Sequence, residues 1–410
     1  MRRVASLCVY YFVAFGVTGA YLPYFPRWLE ARGMVGTEFG IISAAGPAMG
    51  MLAPIAIGLV ADTMGLRGGL LQIAWAGALV TLVTLTGLIF LHVPLGFVTL
   101  FALALSLALF RSPTTLIADV LALEYTAAGR SSYGRQRLWG TLGFTAAAVA
   151  IPYAMDPGDA FPFPLTLTVL TAAALLSALA LPGRVTLPDR HAPGDWRSLW
   201  ADNDVKLFFL AAFLSQCGHV AYDLCFTIHL LALGMPRTTV GLAWAVGTCA
   251  EVVLLAVGSR MFRVLSPVTV LAWGLAGATA RWVLIAAVRS PTILFLLQPL
   301  HAISFAVVWL ALIRFTSQRF PARWLGTAQG TLSTSMGAGS VLGMILWGAV
   351  IHRLGGAAVF AGAAGFSTCA CVCALFVRRS DFGSPEIPDR EYADGSPTDD
   401  PIRSCGRQTT

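Results

Sequence analysis

The chain consists of long apolar runs that follow one another with only short polar interruptions. A helix needs about 20 mostly apolar residues to cross the hydrocarbon core of a bilayer. Twelve such runs begin near Val4, Glu38, Gly69, Pro94, Gly134, Phe163, Lys206, Thr238, Ser266, Pro291, Trp324 and Gly355. They are longer than the ~10-residue alternating segments of an outer-membrane barrel. We therefore predict an all-α integral membrane protein with twelve transmembrane helices.

The charge content excludes several classes of protein. Only 11% of the 410 residues are charged, whereas a soluble domain carries about 25%, so water-soluble classes are excluded. The net charge of +7 comes from basic residues scattered over the connections, which argues against a nucleic-acid partner. The single lysine, Lys206, does not follow a glycine-rich loop, so the chain lacks a Walker A site and does not pump with ATP by itself.

Cysteine spacing and catalytic motifs point away from a metalloprotein or an enzyme. No CxxC pair occurs among the eight cysteines, and Cys369, Cys371 and Cys373 have no neighbouring histidine or carboxylate. The apolar runs contain no HExxH, GxSxG or DDxxD motif. We therefore expect no metal, no cofactor and no enzymatic activity. A sensor is disfavoured, because the 31-residue polar tail is too short for an output domain.

A polar connection near the middle divides the runs into two sets of six. The predicted organisation is an N-terminal half (1–182), a cytoplasmic central loop (183–204), a C-terminal half (205–379) and a disordered cytoplasmic tail (380–410). Gly58 and Gly258 end the second and eighth runs, and Pro94 and Pro291 begin the fourth and tenth. A near-constant offset of this kind is typical of a parallel internal repeat.

The distribution of arginines predicts the orientation. If the N-terminus is cytoplasmic, the opposite side carries only Arg27, Arg32, Arg237, Arg289 and Arg353. By the positive-inside rule, both termini then lie in the cytoplasm. The first apolar run continues without a cleavage pattern, so we interpret it as an uncleaved span in the inner membrane.

The connection after the second run has the pattern G-x3-D-x2-G-x-R, formed by Gly58, Asp62, Gly65 and Arg67. It resembles the signature loop of the major facilitator superfamily. Asp62 follows the carboxyl end of a helix, where the dipole disfavours negative charge, so it needs a partner such as Arg67 or another helix's amino end. A contact of that kind suits a gate between moving halves. The alternative is an ordinary turn that obeys the positive-inside rule.

Ionisable residues recur at mid-span in the C-terminal half. His219, Asp223, Glu251, Arg281 and His301 come from four consecutive runs. Each is costly in lipid unless it is paired or hydrated. We therefore predict that they line one aqueous cavity. His219 and Asp223 are four residues apart and share a helix face, as a proton relay or a structural hydrogen bond would require; two ligands are too few for a metal.

Glu251 is the best candidate for a proton carrier. A carboxyl group in this position can gain or lose a proton as a nearby cation moves, and Arg281 is the candidate cation. Such an exchange would couple a proton gradient to transport. The alternative is a static ion pair between the eighth and ninth spans. Gln298 lies one turn from His301 and shares its face.

The N-terminal half carries fewer charges at depth. Arg111 lies in the middle of the fourth run, and Asp119 and Arg137 could pair between the fourth and fifth. Hydropathy alone would also allow Asp119 and Arg137 at the membrane rim. Arg111 or Arg281 could hold an anionic group of a substrate.

Three aromatic residues are candidates for stacking on a ring of the substrate. They are Trp139, Tyr222 and Trp282. As membrane aromatics, all three could equally serve in packing.

Several segments resemble the phenylpropionate-permease-like members of the superfamily. They are YGRQRLWGTLGF (133–144), LPYFP (22–26), ARW (280–282) and LQPLHA (297–302). The resemblance covers residues 4–378. It implies the twelve-helix major facilitator fold and transport of a small molecule.

The chain is also similar to the oligosaccharide/proton symporter group, which includes lactose permease. In that group an acid on span four lies eighteen residues before an arginine on span five, as Asp119 and Arg137 do here, and both bind substrate. An arginine on span nine precedes a histidine on span ten by twenty residues, as Arg281 and His301 do. Glu251 resembles the group's substrate-binding acid on span eight.

The chain departs from that group at two positions. Lactose permease has a lysine where Gln298 stands and a proton-carrying glutamate where Ser304 stands. The proton route therefore cannot be transferred, and Glu251, Asp223 or His219 would have to serve.

We predict a secondary transporter that works by alternating access. The expected partners are a small organic solute, with a phenylpropionate-like aromatic acid as one case, protons and the lipid bilayer, and the expected oligomeric state is a monomer. A proton-driven exporter or antiporter and a sugar or nucleoside symporter are the alternatives.

Overall fold

The computed structural model describes residues 2–64, 69–127, 133–181, 202–320 and 325–377. All regular secondary structure in these ranges is helical. The predicted tail, and the predicted central loop except for 202–204, lie outside the described residues. We use "N-terminal half" for residues 2–181 and "C-terminal half" for residues 202–377.

Six helices form the N-terminal half. They are α1 (Arg2–Ala31), α2 (Gly36–Met64), α3 (Leu70–Phe90), α4 (Phe97–Ala127), α5 (Tyr133–Ala154) and α6 (Pro162–Leu179). At 1.5 Å per residue, even the 18-residue α6 extends about 27 Å, close to the hydrocarbon thickness. α1 packs on α5 and α6, and α3 packs on α4 and α6.

The C-terminal half is less regular. It contains α7 (Asn203–Ala232), α8 (Arg237–Val257), a 3₁₀ turn (Gly258–Arg263), α9 (Pro267–Ala287), α10 (Pro291–Leu296), a second 3₁₀ turn (Gln298–Leu300), a π-helical turn (Ala302–Val307), α11 (Val308–Arg319) and α12 (Leu325–Phe376). The segment from α10 to α11 corresponds to the tenth predicted span. Asp202 and Ser266 cap α7 and α9 by accepting hydrogen bonds from backbone N–H groups.

Gly355 interrupts α12 where the sequence predicts a new span. The 52 residues of α12 would extend about 78 Å as one helix, far more than a bilayer. Gly355 adopts φ 76° and ψ 175°, a conformation that strongly favours glycine, and breaks the helix there. Nine described helices are long and apolar enough to cross a membrane. The count of twelve spans stays a prediction.

The two halves meet along α2 with α12, α5 with α8, and α1 with α7. Glycines allow the first two helix pairs to approach closely. A Cβ atom on Gly348 would lie 2.6 Å from the backbone of Gly40, and a Cβ atom on Gly241 would lie 2.4 Å from the Ala148 carbonyl oxygen. Small residues at such crossings are typical of packing between membrane helices.

Polar contacts join the halves at the end of the bundle where α1 gives way to α2. Arg237 Nη1 lies 3.2 Å from Asp156 Oδ2, and His352 Nε2 lies 3.8 Å from Glu30 Oε1. The backbone N–H of Gly36 also donates to His352 Nδ1 at 3.2 Å. We call these contacts the closed end.

A cavity of about 450 Å³ lies between the halves, bounded by α1, α2, α7, α11 and α12. Its lining runs along α12 from Met344 to Gln329, toward the end of the bundle where α12 begins. We call it the central cavity. The halves are thus joined at one end and separated by space further along the bundle.

Candidate functional site

Arg281 of α9 is fully enclosed, and protein groups occupy both ends of its guanidinium. Nη1 donates to Ser304 Oγ at 2.9 Å and lies 3.2 Å from His301 Nδ1. Nη2 donates to Gln298 Oε1 at 3.2 Å. A charge at this depth requires such partners, because water cannot reach it. The arrangement makes Arg281 a positioning group for its neighbours.

His301 joins Arg281 to a carboxylate. While its Nδ1 faces Arg281, its Nε2 lies 3.5 Å from Glu251 Oε2. The ring also stacks on Phe305, with 5.5 Å between centroids and an interplanar angle of 7°. Gly247, one turn before Glu251 on α8, packs on His301, and a Cβ atom there would lie at an ordinary contact distance of 3.4 Å from His301 Cβ. The predicted group of Glu251, Arg281 and His301 therefore comes together in one place.

Tyr222 and Trp282 enclose Arg281 rather than open toward a solute. Their ring centroids lie 4.4 Å and 4.7 Å from the guanidinium carbon, within range of cation–π attraction. Both residues are 1% exposed. The Tyr222 hydroxyl donates to Gln298 Oε1 at 3.4 Å, and the Trp282 indole donates to Ser367 Oγ at 3.1 Å. Of the two interpretations, packing is the one that this geometry favours.

Asp223 is the charged residue of α7 that reaches the central cavity. Its Oδ1 lies 3.9 Å from His219 Nε2, the predicted pairing along one helix face. The His219 ring packs 5.0 Å from that of Phe305, and its Nδ1 is buried without a hydrogen-bond partner in the described part of the chain. Asp223 also interacts electrostatically with Arg281. The α7 pair therefore belongs to the same cluster.

In the N-terminal half, Arg137 and Asp119 approach each other across α4 and α5, as predicted. Arg137 Nε lies 3.9 Å from Asp119 Oδ1, and the Tyr11 hydroxyl donates to the same oxygen at 2.6 Å. The guanidinium of Arg137 stacks on Phe15, 3.9 Å from the ring centroid. A Cβ atom on Gly140 would lie 2.8 Å from Arg137 Nη1, so this glycine leaves room for the guanidinium.

Arg137 of the N-terminal half acts electrostatically on Glu251 of the C-terminal half, across the contact of α5 with α8. The side chains of Arg137, Asp119 and Glu251 are 33%, 28% and 21% exposed. These groups are therefore partly accessible, in contrast with the enclosed Arg281. The described charges form one set that extends over both halves.

Arg111 and Trp139 lie apart from that contact. Arg111 donates from Nη2 to Thr18 Oγ1 at 3.0 Å, and its guanidinium lies 5.0 Å from the ring centroid of Tyr21, which lines the central cavity. Trp139 is 46% exposed and is absent from the cavity lining. The geometry therefore does not bring Trp139 together with the other predicted residues.

The predicted gate residues are only partly described. Gly58 and Asp62 lie in the last turns of α2, of which only the helical backbone is described. Gly65 and Arg67 lie outside the described residues. Their proposed role at the gate stays a prediction.

Sequence reasoning missed several residues of the site. Tyr11 and Phe15 hold the Arg137 pair, and Tyr21, Phe25 and Gln216 line the central cavity. A signal was available for α1, since Tyr11 and Phe15, and again Tyr21 and Phe25, are four residues apart and so share a helix face. Gln216 precedes Asp223 by seven residues, which is two turns on one face.

A helical bundle in two halves, joined at one end and holding charged groups between them, defines a multi-pass membrane transporter of the secondary class. The family model described as "MFS_1 like family" matches residues 4–361. The chain therefore belongs to this family of the major facilitator superfamily.

Known relatives and solved structures agree with this assignment. The chain is 26% identical over 376 residues to the probable 3-phenylpropionic acid transporter of Escherichia coli (strain K12), covering 88% of this chain and 94% of that protein. It is 30% identical over 290 residues to the maltose permease of Geobacillus stearothermophilus, covering 68% and 70%. The crystal structure of the nucleoside transporter NupG is similar with a TM-score of 0.79 at 16% identity, covering 92% of this chain and 98% of that one. This last likeness concerns the fold.

Proposed function

We propose that the protein couples the movement of a small organic acid to protons by alternating access, as a monomer in the inner membrane with both termini in the cytoplasm. The observation that carries the proposal is the balance of charges among the ionisable groups that the two halves hold at depth. Three partly or fully buried carboxylates accompany three guanidinium groups in the two halves: Asp119, Asp223 and Glu251 with Arg111, Arg137 and Arg281.

This balance of charges makes the binding of a proton and the binding of an anionic solute depend on each other. The set is neutral when all six groups are ionised and His219 and His301 are neutral. Uncompensated charge is costly in a low-dielectric interior. One proton taken up at Glu251 leaves the set with a charge of +1, and a bound monocarboxylate returns it to neutrality. The proton and the acid therefore favour each other's binding, which is the basis of symport.

Glu251 is the proposed proton carrier because it is partly exposed and has cationic or protonatable neighbours in both halves. His301 contacts it from the C-terminal half, and Arg137 acts on it from the N-terminal half. A relative movement of the halves changes the distance to Arg137 while leaving His301 in place. The protonation of Glu251 would then follow the conformation of the protein.

Arg137 is the proposed ligand for the carboxylate of the solute. It is 33% exposed, and its contact with Asp119 is long at 3.9 Å. Arg281, by contrast, is fully enclosed and already donates to Ser304 and Gln298. We therefore assign anion binding to Arg137 and a positioning role to Arg281.

Aromatic acids are the proposed solute class. The chain is similar over most of its length to a probable 3-phenylpropionic acid transporter. Aromatic side chains also line the central cavity on the α1 side, among them Tyr21 and Phe25. The alternating movement is supported by the closed end and by the cavity that extends away from it.

Uptake into proteoliposomes with an imposed pH gradient tests the proposal. Labelled 3-phenylpropionate should accumulate when the lumen is more alkaline, and a protonophore should abolish the accumulation. Equal uptake with and without the gradient would instead indicate a uniporter or another coupling ion. Accumulation in the opposite direction would indicate an antiporter.

Sugars and nucleosides belong in the same experiment as competitors. The identity to maltose permease makes maltose a specific candidate. Competition by maltose without competition by aromatic acids would replace the proposed solute class while leaving proton coupling intact.

A further inference from the structure

We propose that the central cavity selects ring-hydroxylated aromatic acids over their unsubstituted counterparts, by binding the ring between an aromatic wall and a wall of hydrogen-bonding side chains. This inference rests on the proposed function and specifies its substrate class. It follows from how the two sides of the cavity differ.

The wall contributed by the N-terminal half is apolar and flat. Tyr21 and Phe25 stack on each other along α1, with 4.4 Å between ring centroids and an interplanar angle of 18°. Pro47 and Met51 of α2 continue this surface. Flat aromatic and thioether surfaces of this kind bind the face of an aromatic ring well.

The wall contributed by the C-terminal half carries a row of polar side chains. Gln216 and Asp223 project from α7, two turns apart. Gln329, Ser333 and Ser340 project from α12, at intervals of four and seven residues that place them on one face. None of these residues was among those predicted from the sequence except Asp223.

These polar groups have hydrogen-bonding capacity that the protein leaves unused. Within the described ranges, Gln216, Gln329, Ser333 and Ser340 have no hydrogen-bond partner. Serines in apolar helices commonly satisfy themselves on their own backbone, as Ser43 does with the Phe39 carbonyl oxygen at 2.8 Å. The row of free groups is therefore available to water or to a solute.

A plain phenyl ring would displace water from this row and leave its groups unpaired. A site with polar groups placed for a hydroxyl discriminates strongly against the analogue that lacks it. Ring hydroxyls can donate to Asp223 and exchange hydrogen bonds with Gln216 or Ser340. Asp223 also repels a carboxylate, so the acid end of the solute is directed away from α7. The cavity volume of about 450 Å³ is in the usual range for small-molecule sites.

Competition in proteoliposomes containing the full chain tests this inference. Unlabelled 3-(3,4-dihydroxyphenyl)propionate and 3-phenylpropionate compete for pH-driven uptake of labelled 3-phenylpropionate. We expect the dihydroxy acid to inhibit at a concentration at least about tenfold lower, since one good hydrogen bond to a buried group is worth about that factor. Equal inhibition by the two acids would overturn the inference on the unmodified protein, without any variant.

Two variants test whether the polar wall of the cavity causes the preference for the dihydroxy acid. Gln216→Met and Ser340→Ala remove hydrogen bonds with little change in shape, and each should bring the ratio of the two inhibition constants closer to one. Ser177→Ala is the matched control, because the Ser177 hydroxyl donates to the Ala174 carbonyl oxygen on α6, away from the cavity. A ratio unchanged by both cavity variants would contradict the assignment to this wall.

Different results would contradict the proposed function and the inference about ring hydroxyl groups. If no aromatic acid is taken up in response to a pH gradient, the proposed function is wrong. If aromatic acids are taken up but hydroxyl groups confer no advantage, only the present inference is wrong.

Discussion

The imidazole Nε2 of His301 lies 3.5 Å from a carboxylate oxygen of Glu251, so one contact joins α8 to the irregular segment before α11. The other ring nitrogen of His301 faces the enclosed Arg281. Protonation of Glu251 therefore changes the charge that faces His301, which in turn contacts the enclosed Arg281. Substitutions can separate the role of Glu251 in proton coupling from the role of Arg281 in packing.

Glu251→Gln should abolish accumulation driven by a pH gradient while preserving exchange of solute across the membrane. The amide keeps the size of the side chain but cannot take up a proton. A gradient of one pH unit sustains at most about a tenfold concentration ratio in one-to-one symport, and we expect this ratio to fall to one. Proteoliposome uptake and counterflow measure the two properties separately.

Glu38→Gln is the matched control, because Glu38 is exposed in the first turn of α2. It should accumulate solute as the unmodified protein does. Full accumulation by Glu251→Gln would exclude Glu251 as the proton carrier.

Arg281→Lys should lower the thermal stability of the purified protein, although it retains the charge. The ammonium cannot reach Ser304 and Gln298 together in the geometry of the guanidinium. Breaking a buried charged contact costs about 3 kcal/mol, so the midpoint of denaturation in detergent should fall by several degrees. Arg289→Lys, on an exposed residue, should leave the midpoint unchanged. An unchanged midpoint for both variants would refute the positioning role of Arg281.

Gly348→Ala should weaken the closed end. The added methyl group meets the backbone of Gly40 rather than a movable side chain, and overpacking of this kind costs about 1–3 kcal/mol. Spin labels at Val35→Cys, directly before α2, and Leu354→Cys of α12, in a variant without other cysteines, should report longer distances between these two positions. Gly365→Ala is the control, since a Cβ atom there meets nothing within 4 Å. Identical distance distributions for the two variants would show that the close approach does not hold this end together.

Arg237→Glu should also weaken the closed end, in this case by charge repulsion. Arg237 and Asp156 are both about half exposed, so their contact contributes less than about 1 kcal/mol to stability. Repulsion between Asp156 and the new glutamate should nevertheless lengthen the same spin-label distances. High salt should reduce this effect, because exposed charges are screened. Arg289→Glu is the charge control, and an equal effect of both substitutions would argue against a specific contact with Asp156.

The sequence was most informative about the boundaries of the helices. Long apolar runs predict membrane helices directly, and Gly355 marks the break in α12 because a glycine there can leave the helical conformation. The irregular passage from Gln298 to Val307 was not predictable, since local deviations from the α-helix depend on tertiary contacts.

The sequence was less informative about the direction in which side chains point. The group of Glu251, Arg281 and His301 could be predicted, because charged residues in apolar runs require common partners. The role of Trp139 stays a prediction, because apolar residues cover every side of a membrane helix and the pattern does not show which side faces a solute. Gln216 and Ser340 were overlooked, because small polar residues also serve ordinary helix packing.

The π-helical turn Ala302–Val307 holds about one residue more than the corresponding stretch of α-helix. Loss of a single residue within it would therefore restore α-helical geometry and leave α11 at about the same rotation about its axis. Trp309 would keep its place in the wall of the central cavity. The change would fall on the turn itself, directly after His301 and its contacts with Glu251 and Arg281. Such a deletion would therefore alter how the protein handles protons before it altered which solutes fit the cavity.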